Sequence, residues 1–163
     1  MDRLWSPWRA RYIASGVDSQ SSECVFCRIA NDAEHDEENL VVHRGRLAFV
    51  VLNLYPYISG HMMVVPYLHT GEFDSTPKEI TDEMMDLTKR AQAALREAYS
   101  PAGFNVGMNL GAAAGAGVVD HIHIHVLPRW AGDTNFMTTV GETRVLPEDL
   151  STTYSKLQPK FKD

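Results

Sequence analysis

The sequence predicts an α+β fold: a mainly antiparallel sheet, one long helix and short helices. Two observations carry this prediction. Residues 77–99 show a single apolar stripe at helical spacing, with start and stop signals at its ends. On both sides of it lie short runs rich in Val, Ile and Phe, bounded by Pro and Gly, that read as strands. Strands, one helix, then more strands is not the repeated strand–helix alternation of a parallel sheet. The chain has 163 residues, one domain's worth and enough to bury a core without staples. We expect one domain over 1–163, with an irregular arm over 1–22 and a C-terminal extension over 141–163.

The elements follow in order. The arm, "MDRLWSPWRARYIASG", carries Trp5, Trp8 and Tyr12. These are expected to pack on the domain or a partner subunit, because aromatic residues left in solvent invite aggregation. The arm has arginines but no apolar core, so it is no secretory signal. No apolar run in the chain approaches a membrane span. A cytoplasmic location with no membrane partner is the expectation. "CVFCRIAND" suggests a helical turn, and "AEHDEEN" a solvated acidic loop. "LVVHRGRLAFVVLN" holds two strand-like runs with a turn at Arg44-Gly45, which predicts a hairpin. "YPYISGH" is a loop and "HMMVVPY" a strand ending at Pro66.

The helix over 77–99 has Thr76 at the N-cap, Pro77 at the first helical position and Glu79 closing a T-x-x-E capping box. Ile80, Met84, Leu87, Ala91, Ala94, Leu95 and Ala98 form its apolar stripe, which reads as core. "SPAG" stops it. "FNVGMNLG" is a strand, "AAAGAG" a small-residue loop, and "HIHIHVLP" a strand ending at Pro128. Beyond "RWAGDTNF" we expect loop with short elements.

The net charge of −6 argues against general nucleic-acid binding, which draws on a basic face. It leaves room for a small phosphorylated ligand held by a few local donors. The two cysteines, Cys24 and Cys27, form one C-x-x-C pair. In a reducing compartment that is half a zinc site or a redox pair. No thioredoxin-like βαβ pattern follows to support the redox reading.

His121, His123 and His125 alternate along one strand, so they share a face, while Ile122, Ile124 and Val126 share the other. Three readings compete. The histidines are satisfied surface residues, a three-ligand metal site, or a phosphate site in which one imidazole attacks phosphorus and another donates hydrogen bonds. Perfect alternation counts against the first. The Gly- and Ala-rich loop "NLGAAAGAGVVD" just upstream favours the third, because small residues let backbone N–H groups approach a phosphate.

The run "HIHIHVL" matches H-φ-H-φ-H-φ-φ at every position, and the chain here resembles the histidine triad superfamily of nucleotidyl hydrolases and transferases. The resemblance spans roughly residues 20–140 and includes an "N-x-x-P-x-x-x-GH"-like segment from Asn53 to His61. Within the superfamily it looks closest to the fragile-histidine-triad branch, and to bacterial diadenosine tetraphosphate phosphorylase-like proteins sharing "PRW-x-GD-x-NF". It implies a HIT-like fold with a mainly antiparallel five-stranded sheet, and a homodimer with joined sheets. It implies cleavage of a dinucleoside polyphosphate such as diadenosine tetra- or triphosphate, with water or phosphate resolving a covalent intermediate.

Residue by residue, the resemblance makes His123 the nucleophile and His125 the residue that supports the phosphate and leaving group. Asn53 would bind the ribose hydroxyls, and Val51, His61 and Met63 would line the nucleoside pocket. Asn109 would lie in the phosphate region and Trp130 near the second nucleotide. Many relatives place a Ser or Gln just before the triad. Here Gly117 offers only backbone. The resemblance also implies a closed structural zinc site of Cys24, Cys27, His69 and His121. Val51 and Met63 would be buried strand residues in any case, and His35 and His43 read as surface residues. Rival functions are a nucleoside phosphoramidate hydrolase, a hexose-phosphate uridylyltransferase or a nucleotide-binding signalling module. The third histidine counts against the transferase, and the complete triad against a module that only binds.

Overall fold

The computed structural model describes residues 23–133 and 148–161. Trp5, Trp8 and Tyr12, and the first part of the C-terminal extension, lie outside them. The elements run α1 (Val25–Asn31), β1 (Val41–Arg44), β2 (Ala48–Leu52), β3 (Met62–Pro66), α2 (Lys78–Tyr99), β4 (Gly103–Gly107), β5 (Ile124–Arg129) and α3 (Leu150–Leu157). The five strands form one sheet in the order β1-β2-β3-β5-β4, with every neighbouring pair antiparallel.

Side chains alternate across the sheet, and the two faces are covered by different elements. On one face Val50, Leu52, Met62, Val64, Ile122, Ile124 and Val126 meet the stripe of α2. Burying Met84, Leu87 and Leu95 of that stripe contributes about 1.5–3 kcal/mol each. The stripe is the expected one with Thr88 added, whose hydroxyl donates to the Met84 carbonyl at 2.8 Å. On the other face Phe49, Val51, Met63 and Val65 meet Phe26 and Ile29 of α1. The β1–β2 turn is held from α2, where Glu83 Oε1 accepts Leu47 N–H at 2.7 Å and Ala48 N–H at 3.3 Å. A Cβ on Gly45 would lie 2.8 Å from the Ala48 backbone carbonyl as well as 2.5 Å from that oxygen, so the turn favours glycine there.

Several local expectations need correction. α2 starts at Lys78 with Pro77 at its cap and no side-chain cap bond. The Thr76 hydroxyl is engaged by the preceding turn instead, donating to the Glu72 carbonyl at 2.7 Å. The ladder of β5 starts at Ile124 and runs through Pro128 to Arg129, so His121 to His123 lead into the strand rather than belong to it. The acidic run is not simply solvated, because Asp36 binds Arg44 at 2.8 Å. His43 is half-buried rather than fully exposed: it stacks on Phe161 at 5.5 Å and lies 3.2 Å from the Arg90 guanidinium. Phe161 follows α3, whose Leu157 is buried in the same core, so the C-terminal extension completes the α2 side.

Candidate active site and metal centre

The candidate residues collect on the α1 face by strand parity. Val51 pairs with Met63, Met63 with His125, and His125 with Gly107, so these residues form one row across four strands. Moving two residues along the chain from Met63 reaches His61, and two from His125 reaches His123. Between this face, α1 and the loop after β4 lies a cleft of about 550 Å³. Among the residues singled out in the sequence, Val51, Asn53, Met63, Asn109, Gly117, His123 and His125 line it. His61 does not. It is 1% exposed and sits behind His125. Trp130 lies outside the cleft, edge-on to Tyr99 at 6.4 Å, with its indole N–H donating to the Tyr99 carbonyl at 3.3 Å.

Each triad histidine has one ring nitrogen committed to a different partner, and that fixes what the other nitrogen offers. His123 Nδ1 lies 2.9 Å from the His121 carbonyl, which can only accept. The proton is therefore on Nδ1 and the lone pair on Nε2. His121 Nε2 likewise donates to the Pro66 carbonyl at 2.8 Å, leaving its lone pair on Nδ1.

For His125 the assignment runs through His61. Tyr57 N–H donates to His61 Nδ1 at 3.2 Å, and the Asn53 amide nitrogen lies 3.3 Å from the same atom. Asn53 Oδ1 accepts Tyr55 N–H, which turns its NH₂ end toward His61. His61 Nδ1 is thus an acceptor, and Nε2 carries the proton. That proton is donated to His125 Nδ1 at 2.9 Å, which leaves His125 with an N–H on Nε2. The cleft so contains one imidazole acceptor, on His123, and one imidazole donor, on His125, with the two rings 4.9 Å apart.

All four imidazoles are neutral at pH 7. Burial is the main cause, since it disfavours the charged form. It lowers the pKa of His121 and His123, and with the neighbouring His123 it brings His125 to about 4. His61, buried and facing His125 and His123, falls to about 3. An unprotonated His123 is what a nucleophile needs.

Cys24, Cys27, His69 and His121 come together at the N-terminal end of α1, with all their ligand atoms within 4.8 Å of one another. Cys24 Sγ is 3.3 Å and Cys27 Sγ 3.7 Å from His121 Nδ1, and Cys27 Sγ is 3.2 Å from His69 Nδ1. A tetrahedral zinc with bonds of about 2.0–2.3 Å spaces its donors about 3.3–3.8 Å apart, and these three separations are close to that spacing. The Pro66 carbonyl on His121 Nε2 is the outer partner that orients a ligating imidazole. Phe26, one residue before Cys27, packs on both His121 (5.4 Å) and His123 (5.0 Å) and joins the two centres.

Sequence reasoning missed Val25, Phe26, Ile29, Asn39, Leu40 and Tyr57 as cleft residues. For Val25, Phe26 and Ile29 a signal existed. In a helix that sends Cys24 and Cys27 to one site, Phe26 and Ile29 are three apart and share an apolar face that can meet the sheet, with Val25 beside it. Asn39, Leu40 and Tyr57 sit in loops with no periodicity to follow.

The HIT domain family matches residues 34–132. AP-4-A phosphorylase of Mycobacterium tuberculosis is 42% identical over 159 residues, covering 94% of this chain and 80% of its own. The asymmetrical bis(5'-nucleosyl)-tetraphosphatase of Schizosaccharomyces pombe is 32% identical over 94 residues, covering 57% of this chain and 50% of its own. Among solved structures, a Zn-bound histidine triad family protein from Mycobacterium smegmatis superposes with a TM-score of 0.68 at 31% identity, covering 85% of this chain and 92% of its own.

Proposed function

The chain belongs to the HIT domain family, and we propose that it cleaves dinucleoside polyphosphates, diadenosine tetraphosphate among them, at the α-phosphate. The route is a covalent nucleotidyl-His123 intermediate, with inorganic phosphate as acceptor. The observation that carries this is the His123 ring: Nδ1–H is held on the His121 carbonyl, so Nε2 is left with its lone pair beside a neutral donor. The substrate class and the acceptor draw on the likeness to the mycobacterial AP-4-A phosphorylase.

In the first step the His123 Nε2 lone pair forms a bond to the α-phosphorus. The bond from phosphorus to the bridging oxygen breaks, and its electrons leave with the nucleoside polyphosphate. His125 Nε2–H donates to a phosphate oxygen as charge develops, which is electrostatic stabilisation by a preorganised donor. In the second step a phosphate oxygen attacks the same phosphorus, and the P–N electrons return to Nε2. Diadenosine tetraphosphate so gives ATP, then ADP. Splitting one displacement in two is the general gain of covalent catalysis. Asn53 binds the ribose hydroxyls, Val51 and Met63 face the nucleoside, and Asn109 with the Gly117 backbone receives the phosphates. His61 fixes the His125 tautomer.

Cys24, Cys27, His69 and His121 bind one structural zinc, which fastens α1 beside the triad and takes no part in the chemistry. The protein acts as a single-domain homodimer in the cytoplasm. Among the described residues β4 is an edge strand, with Val106 45% exposed, and pairing it with a second copy would engage the backbone groups of that edge.

The test is incubation with diadenosine tetraphosphate, with and without inorganic phosphate, and chromatography of the products. ADP plus ATP formed only with phosphate supports the proposal. AMP plus ATP without phosphate makes the protein a hydrolase, and no cleavage of any dinucleoside polyphosphate overturns the substrate class.

A further inference from the structure

Helix α1 supplies Val25, Phe26 and Ile29 to the cleft wall, yet it is only seven residues long and has no side-chain cap bond at its start. A helix that short does not hold itself in water, so its position depends on what fastens it. At its N-terminal end that is the Cys24–Cys27 cluster. At its C-terminal end it is one side chain from the sheet, Arg44. The guanidinium donates from Nη1 to the Ala30 carbonyl at 3.0 Å and from Nη2 to the Ile29 carbonyl at 2.8 Å, and Nε donates to Asp36 Oδ1 at 2.8 Å. The last carbonyls of a helix have no partner within it and form the negative end of its dipole. A fixed cation is therefore the group that suits them.

Strand β1 is distorted in a way that aims Arg44 there. In a regular strand Val42 and Arg44 would share a face. A register shift lies between Val41 and His43. Val42 packs into the α2 core and His43 stacks on Phe161 of that same core, so two successive residues face α2. Alternation resumes reversed, and Arg44 emerges on the α1 face with Val41. Bulges re-aim side chains in this way.

The geometry points to Arg44 as a positioning residue for nucleoside binding. It does not line the cleft, and together with the packing of Phe26 and Ile29 on the sheet it sets the distance between the α1 wall and the sheet by holding the C-terminal end of α1. This deepens the proposed function and rests on its assignment of the cleft to a nucleoside. The wall contacts the nucleoside alike in ground and transition states, so loosening it removes uniform binding. That raises KM and leaves kcat in place.

The test compares wild type, Arg44→Gln and Arg44→Lys in the full-length protein as purified. Calorimetry reads AMP binding, steady-state assays read diadenosine tetraphosphate cleavage with phosphate, and urea unfolding reads stability. Arg44→Gln is expected to weaken AMP binding and raise KM by about tenfold, with kcat per folded molecule within about twofold. Arg44→Lys, whose ammonium reaches one carbonyl, should fall between. Asp36→Asn removes the guide for the guanidinium and should raise KM in the same direction by less, which keeps the inference testable should Arg44→Gln not fold. A merely structural role predicts the opposite split: apparent kcat falls with the folded fraction, while KM and AMP affinity stay at wild-type values. That result overturns the inference. A wild-type protein that binds no AMP and cleaves no dinucleotide overturns the underlying assignment of the cleft instead.

Discussion

Replacing His61 with Leu tests the tautomer relay behind His125. His61 is 1% exposed and of similar size to Leu, so with little change in volume the substitution removes a donor to His125 and the acceptor that faces Tyr57 N–H and the Asn53 amide. Its Nε2–H is the donor to His125 Nδ1 at 2.9 Å. Without it His125 Nδ1 is a largely buried acceptor with no donor, a state that costs about 1–3 kcal/mol. The ring relieves that cost by moving its own proton to Nδ1 or turning, and either change withdraws the donor it offers to the phosphate. The same energy lost from the transition state lowers kcat by about 5- to 150-fold. kcat should fall by more than KM rises, because the donor acts on charge that develops in the transition state, whereas the freed Asn53 amide bears only on ground-state binding. His61→Gln keeps an N–H donor and should retain kcat within about fivefold of wild type. The assay is steady-state cleavage of diadenosine tetraphosphate in the presence of phosphate, with circular dichroism to confirm folding. A folded His61→Leu with wild-type kcat, or Leu and Gln variants impaired equally, refutes the relay.

Three further outcomes are expected. The neutral burial of His61 makes stability fall with acid. Its folded pKa of about 3 lies below the unfolded value, so its contribution is whole above about pH 6.5 and declines as pH falls toward 3. Between pH 6.5 and 5 the loss is about 2 kcal/mol, and urea unfolding of His61→Gln should show a shallower dependence on pH than wild type. Elemental analysis should find about one zinc per chain; Cys24→Ser should lose it and melt at lower temperature, and zinc-free protein that melts like wild type would count against the ligand set. Glu83→Leu removes the acceptor for two turn N–H groups, Leu47 and Ala48, and should cost about 2 kcal/mol in urea unfolding.

The sheet and the long helix were legible because both are built on periodicity. The stripe from Ile80 to Leu95 and the alternation of Ile122, Ile124 and Val126 each name a buried face, and the two meet in one core. The same parity rule put His121, His123 and His125 together on the other face. The rest depends on contacts between distant segments. Nothing near His61 indicates that His125 lies 2.9 Å away across 64 positions, so a residue read as pocket wall stands behind the cleft. Trp130 could be placed by strand end but not by partner, and its partner is Tyr99. His43 looks like a surface residue in sequence because its cover, Phe161, comes from the far end of the chain. Arg44 reads as a turn residue in sequence, and only the bulge before it turns it toward α1.

The central claim is a covalent bond between His123 and the α-phosphorus. Protein mixed with diadenosine tetraphosphate in the absence of phosphate, quenched in base to preserve the P–N bond, digested and analysed by mass spectrometry, tests it directly. The account predicts one adenylyl group on the peptide spanning His121 to Arg129, fragmenting to His123, absent in His123→Asn and discharged as ADP when phosphate is added. Steady turnover with no adduct on His123, or with the adduct on His125, would contradict it.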